Sequence, residues 1–237
     1  MSRSDTITER ISVVRDRIAN AAVKSGRSPQ EITLIGVSKT NPPEAIRAAI
    51  AAGLTDFGEN RIQEAEEKIP VLREENVTWH MMGHLQRNKA QNALELFHWF
   101  HSLDSKRLAR RLQQQMNKRE IPGQFDVFIQ VNVSGEKSKY GIPPERVAEL
   151  IALVGEECPA LNVHGLMTIA PFTREESVLR ATFRGLRELQ ENIRVTEYNN
   201  IKLDQLSMGM TNDYEIAVEE GATHVRIGRA LFGERQY

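Results

Sequence analysis

Cysteine is all but missing from this chain: Cys158 is the only one in 237 residues. One thiol excludes an internal disulfide and a cysteine-rich metal site, and it suits a reducing cytoplasm. An excess of either charge is missing too, since 31 Lys+Arg stand against 32 Asp+Glu for a formal net charge of -1. Nothing therefore draws the whole chain to nucleic acid or to an anionic membrane, and small ligands become the expected partners. The amino-terminal stretch "MSRSDTITERISVVRDRIANAAVKSG" carries charges throughout and lacks the continuous apolar run that a signal peptide or membrane span requires. Neither G-x-G-x-x-G nor G-x-x-x-x-G-K occurs, which removes the usual glycine loops of nucleotide-binding open sheets. No Pro/Gly/Ser linker, low-complexity tract or shift of composition divides the chain, so residues 1–237 are read as one domain.

What is present is alternation. Ile7, Ile11, Val14, Ile18 and Ala22 form one stripe of an amphipathic amino-terminal helix that Gly26 stops. Short apolar runs then follow one another: "ITLIGVS", "TDFGEN", "VTWHMMG", "WFHSLD", "FDVFIQVNVS", "LNVHGLMTI", "LDQLSMG" and "THVRIG". Between them, helical patterns fall at 42–53, 60–75, 86–96, 105–119, 143–157, 174–196 and 213–220. Strands alternating with helices imply right-handed crossovers and a parallel sheet. About eight such units in roughly 210 residues predict an α/β fold, a compact (β/α)8 barrel preceded by an extra helix.

Functional residues of such a barrel sit at the carboxyl ends of its strands. The first strand of "ITLIGVSKTNPPEAI" ends in Lys39, on the same face as Val37 and Ile35. That lysine is either a surface residue before a helix or an amine held near the barrel mouth for Schiff-base chemistry. In "GATHVRIGRALFG", Val225 and Ile227 suit the helix-facing side, which turns Arg226 inward. A buried guanidinium needs an acceptor: an interior acid such as Glu59, or a ligand atom. Gly228 and Arg229 then open a helical turn, while Ser207 and Gly209 end the seventh strand before a helix capped by Thr211, Asn212 or Asp213. Two small-residue turns near the closure of a barrel mark a phosphate-binding location.

Other combinations are weaker. His80 and His84 on an extended strand would stand roughly 13 Å apart, too far to share a metal. His101, Ser102 and Asp104 supply triad letters without a G-x-S-x-G elbow. "RNK" and "SGEKSKYG" read as solvated turns, and Cys158 as a small residue at a helix end.

Seven ordered stretches, "GVSKTNPP", "FGENRIQEAEEK", "WHMMGHLQRNK", "VNVSGEKSKYG", "HGLMTIAP", "LSMGMTNDYEIAV" and "THVRIGRALFGER", together resemble the YggS/PROSC family of pyridoxal phosphate homeostasis proteins. The resemblance runs from the first strand to the carboxyl terminus. It implies a TIM barrel similar to that of alanine racemase, the fold-type III pyridoxal phosphate scaffold. It further implies that Lys39 forms the internal aldimine and that Arg226 faces the pyridine nitrogen. Ser207, Gly228 and the backbone of Arg229 match the phosphate cradle, and Asn60 is a pocket neighbour. Many relatives carry a small hydroxyl residue in place of Arg229, so no side-chain phosphate contact carries over there.

The implied role is to hold, buffer or deliver pyridoxal 5'-phosphate in the cytoplasm without catalytic turnover. The resemblance favours a monomer that meets pyridoxal phosphate-dependent apo-enzymes transiently. The rival is an amino-acid racemase using the same lysine, whose family route needs a tyrosine from a second domain. About ten residues follow the last strand. Tyr237 among them would lack the rigid support of a catalytic base.

Overall fold

The apolar runs pair side by side because each has a helix to cover its outer face. The computed structural model describes residues 3–119, 121, 123–136, 139–193 and 198–233. Its strands are β1 (Thr33–Val37), β2 (Asp56–Glu59), β3 (Thr78–Met81), β4 (Trp99–Leu103), β5 (Phe125–Gln130), β6 (Leu161–Met167), β7 (Ile201–Met210) and β8 (His224–Ile227). They close in sequence order into a barrel. Closure is parallel, with Ile35 of β1 opposite Arg226 of β8. The helices are α1 (Arg3–Lys24), α2 (Pro43–Ala51), α3 (Ile62–Lys68), α4 (Ala90–Leu96), α5 (Lys106–Arg119), α6 (Val147–Glu157), α7 (Glu176–Asn192), α8 (Tyr214–Glu219) and α9 (Arg229–Phe232). No described helix is long and apolar enough to cross a membrane.

All eight expected strands form, with changed limits. "FDVFIQVNVS" leaves the ladder after Gln130, and only Val131 keeps an isolated bridge, to Ile142. The helical pattern at 60–75 divides into α3 and a 3-10 turn at Pro70–Leu72, because Pro70 has no N–H to continue the helix. Proline also opens the 3-10 turn Pro144–Arg146 before α6. The pattern at 174–196 forms α7, and residues 194–197 lie outside the described residues. The amino-terminal stripe is buried at Ile7, Ile11, Val14 and Ile18. Gly26 adopts φ +73 just after α1, the left-handed conformation that glycine takes without steric cost.

The period of two separates two interiors. Leu34, Phe57, Trp79, Phe100, Val127, Val225 and Ile227 point outward into the large core shared with the helices. Ile35, Val37 and Met82 form a small apolar cluster of their own inside the barrel. Aromatic rings and imidazoles share the lumen with it: Trp99 packs against Phe128 and His164, and Phe128 against His101 and His224. Histidine in such a place is held neutral, because burial removes the water that would solvate its charge. Burial pushes His224 down to about 3, holds His101 well below its ordinary value, and lowers His80 against the pull of Asp56.

These depressed values have a definite sign. The unfolded chain takes up protons near the ordinary histidine value of 6.5, whereas the folded chain does not. Stability is therefore full above that value and falls as pH drops from there towards about 3. Between about pH 7 and about pH 5, His224 alone is expected to remove about 2 kcal/mol. Urea unfolding at stepped pH measures the slope, which should flatten in His224→Asn. An unchanged slope in that variant would show that His224 takes up no extra proton on unfolding.

Candidate functional site

A cavity of about 640 Å³ opens at the carboxyl ends of the strands. Lys39, Asn60, Arg226, Gly228 and Arg229 line it, together with Lys139 and Asp213. Among the described lining residues four cations therefore face one carboxylate, a balance that suits an anionic ligand, and the volume falls in the range of small-molecule sites. Ser207 and Gly209 do not reach the wall. Ser207 is fully buried beneath it, and Gly209 turns the chain at φ +94, where a side chain would strike Ala217 of α8.

Lys39 is held by the backbone on both sides of it. β1 stops at Val37, and the chain turns through Ser38, Lys39 and Thr40. Thr40 has φ +64, which a β-branched residue adopts only when its surroundings compel it. The compelling groups come from α3 and the end of β2. Glu64 accepts the Thr40 N–H at 2.8 Å. Lys68 donates to the Ser38 carbonyl at 3.0 Å, to Glu59 at 2.9 Å and to Glu64 at 3.3 Å. The Ser38 hydroxyl donates to the same Glu59 oxygen. Burial raises the Glu59 carboxyl above its usual range despite Lys68. Burial also pushes Glu64 upward, but the Thr40 amide and Lys68 override it and leave Glu64 lowered.

Glu59 is therefore not the acceptor of Arg226. It stands two residues after Phe57, on the helix-facing side of β2, where Lys68 reaches it. Arg226 does point into the barrel, and two of its N–H groups are bonded there. One arm donates to the Ser207 hydroxyl at 2.7 Å and the other to the Thr168 carbonyl at 2.8 Å. Burial pushes the guanidinium down to about 10, with the charge of Asp213 opposing the shift, so it stays protonated at neutral pH. Ser207 in turn lies 2.8 Å from His101, His101 lies 3.0 Å from His80, and His80 lies 3.0 Å from Asp56.

Sequence alone did not bring Lys139 here. "SGEKSKYG" reads as a solvated turn, yet Lys139 lines the cavity while pairing with Glu136 at 2.9 Å. Its position on a loop at the carboxyl face was the available signal. Lys137 and Ser138 lie outside the described residues, as does Tyr237. Phe172, almost wholly exposed at the mouth, also escaped notice. His80 and His84 part company: one enters the lumen, and the other stacks on Tyr140. Ser102 turns away from His101 to donate to the Gly83 carbonyl. Arg87 and Asn88 of "RNK" line a separate groove with Arg107 and Arg110. Cys158 is buried at the end of α6, where burial pushes its thiol up to about 11.

The profile of the alanine racemase N-terminal domain matches residues 14–236. A pyridoxal phosphate homeostasis protein of Aquifex aeolicus is 45% identical over 229 residues, covering 97% of this chain and 98% of its own. One of Pseudomonas aeruginosa is 46% identical, covering 98% and 97%. Among solved structures, PipY of Synechococcus elongatus with pyridoxal phosphate bound superposes with a TM-score of 0.79 at 35% identity, covering 96% of this chain and 100% of PipY. A barrel matched along nearly its whole length by such relatives belongs to the alanine racemase N-terminal-domain family, among the pyridoxal phosphate homeostasis proteins.

Proposed function

We propose that the chain binds pyridoxal 5'-phosphate through Lys39 and Arg226 and stores it for delivery rather than turning over a substrate. One observation carries this reading: the lysine in the turn just past β1 and the buried guanidinium of β8 share one cavity wall. The residues fit the group. Lys39 offers a nucleophilic amine on a braced turn, Arg226 offers N–H donors, and Gly228 and Arg229 begin a helical turn at the wall. Lys139 adds positive charge for a phosphate. Ser207 accepts from Arg226 beneath the wall.

When bound, pyridoxal phosphate supplies an aldehyde that a lysine amine attacks with loss of water. Arg226 keeps its proton and can only donate, so it discourages protonation of a pyridine nitrogen and weakens the electron sink that transamination needs. Storage requires no such sink. The relatives named for pyridoxal phosphate homeostasis support the same role. We place the protein in the cytoplasm, as a monomer that meets apo-enzymes transiently, in keeping with its single buried thiol.

Borohydride reduction of the loaded protein should fix one pyridoxyl group on Lys39, identified by peptide mapping. Lys39→Ala should lose the visible absorbance and retain weak binding. A label on Lys139 in the wild type would overturn the assignment. Lys68→Met removes the cation from between Glu59 and Glu64 and is expected to cost about 3–5 kcal/mol in urea unfolding. It should also slow labelling of Lys39, and wild-type labelling kinetics would show that the brace is not needed. Finally, no described residue lining the cavity is a tyrosine that could act opposite Lys39. Loaded protein kept with L-alanine in deuterated water should show negligible Cα exchange, while transferring pyridoxal phosphate to an added apo-enzyme. Lys39-dependent racemisation at rates of ~1–10³ per second would establish the racemase instead.

A further inference from the structure

The hydrogen bonds under Arg226 have only one consistent direction, and it starts at the far end of the barrel. Asp56 stands at the first position of β2. One of its carboxylate oxygens accepts from the Thr55 hydroxyl at 2.7 Å, and the other faces His80 Nε2 at 3.0 Å. Burial raises the Asp56 carboxyl, but its bonds from His80 and Thr55 outweigh that and leave it lowered and ionised. An ionised carboxylate only accepts, so His80 carries its proton on Nε2. His80 is buried and neutral, so its Nδ1 is an acceptor. His101 Nε2, 3.0 Å away, must then donate. That leaves His101 Nδ1 as an acceptor, and the Ser207 hydroxyl donates to it across 2.8 Å. With its one proton committed, Ser207 can offer Arg226 only a lone pair, and the guanidinium donates to it at 2.7 Å. No member of this relay is free to turn over without breaking the next bond.

We infer that Asp56 is a remote positioning residue for Arg226, acting through His80, His101 and Ser207. This deepens the pyridoxal phosphate reading and rests on it for the meaning of Arg226. The relay gives the only buried guanidinium among the described cavity residues an acceptor of fixed polarity. It also leads the negative end of the chain of dipoles back to a carboxylate at the opposite face. Arg226 is thereby held as a donor without a carboxylate in direct contact, which would compete with a ligand for its N–H groups.

The test begins with the unliganded wild type. Nitrogen-15 spectra of the histidine rings should show both His80 and His101 protonated on Nε2. An Nδ1–H tautomer at His101 would overturn the inference, whether or not any cofactor binds. Asp56→Asn keeps the shape but, with its amide N–H turned to His80, reverses the tautomers, so that His101 Nδ1–H donates to Ser207 and the Ser207 hydroxyl proton loses its acceptor. Its expected effect on affinity for pyridoxal phosphate is a roughly tenfold to hundredfold loss, the worth of a hydrogen bond to a charged group. Ser207→Ala should lose a similar factor, and the double variant no more than Ser207→Ala alone, because Asp56 has no other route to Arg226. Additive losses, or wild-type affinity in Asp56→Asn, would assign Asp56 to the structure of the barrel only. Failure of the wild type to bind pyridoxal phosphate, with the Nε2 tautomers observed, would remove the parent reading and leave the relay standing.

Discussion

A charged guanidinium inside a closed barrel has no water to turn to, and the organisation of the site follows from how Arg226 is satisfied. Its two donor arms end on Ser207 of the adjacent β7 and on the carbonyl of Thr168 just past β6, rather than on a counter-ion. An ion pair would have neutralised it and taken the donors a ligand needs. A hydroxyl leaves the charge in place. The imidazoles beneath then become intelligible as part of one polar column in an otherwise aromatic lumen, since each needs the next as a partner.

Lys39 is organised differently, from outside the barrel. Its neighbours Ser38 and Thr40 are tied to Lys68 and Glu64 of α3, and the strain of a left-handed threonine is borne by those bonds. These two cations of the cavity wall are thus set by separate devices, one inside the lumen and one between barrel and helix. They meet because β1 and β8 are adjacent where the barrel closes. An amine beside a permanent cation, in a cavity whose described charged residues are mostly positive, suits an anionic aldehyde and is poorly suited to stabilising a carbanion.

Much of this was legible in the order of residues. Alternating short apolar runs and amphipathic stretches determined the barrel, and the period of two within β8 determined that Arg226 faces inward while Val225 and Ile227 face the helices. The position of Lys39 at the end of β1 marked the functional face. Resemblance across seven ordered motifs supplied the family, which no periodicity could have done.

Only the tertiary structure decided which partners these groups take. Glu59, with the same letters around it, went to Lys68 and not to Arg226, because the side chain of a strand end depends on which helix packs over it. Ser207 went beneath the cavity instead of onto its wall, and Lys139 entered from a turn that its composition marked as solvated. His80 and His101, twenty-one residues apart, became neighbours only through the stagger of parallel strands around a closed barrel. Local sequence determines the face on which a side chain emerges, since that is a matter of backbone geometry. Contacts across the lumen depend on register and closure, which the whole sheet sets together.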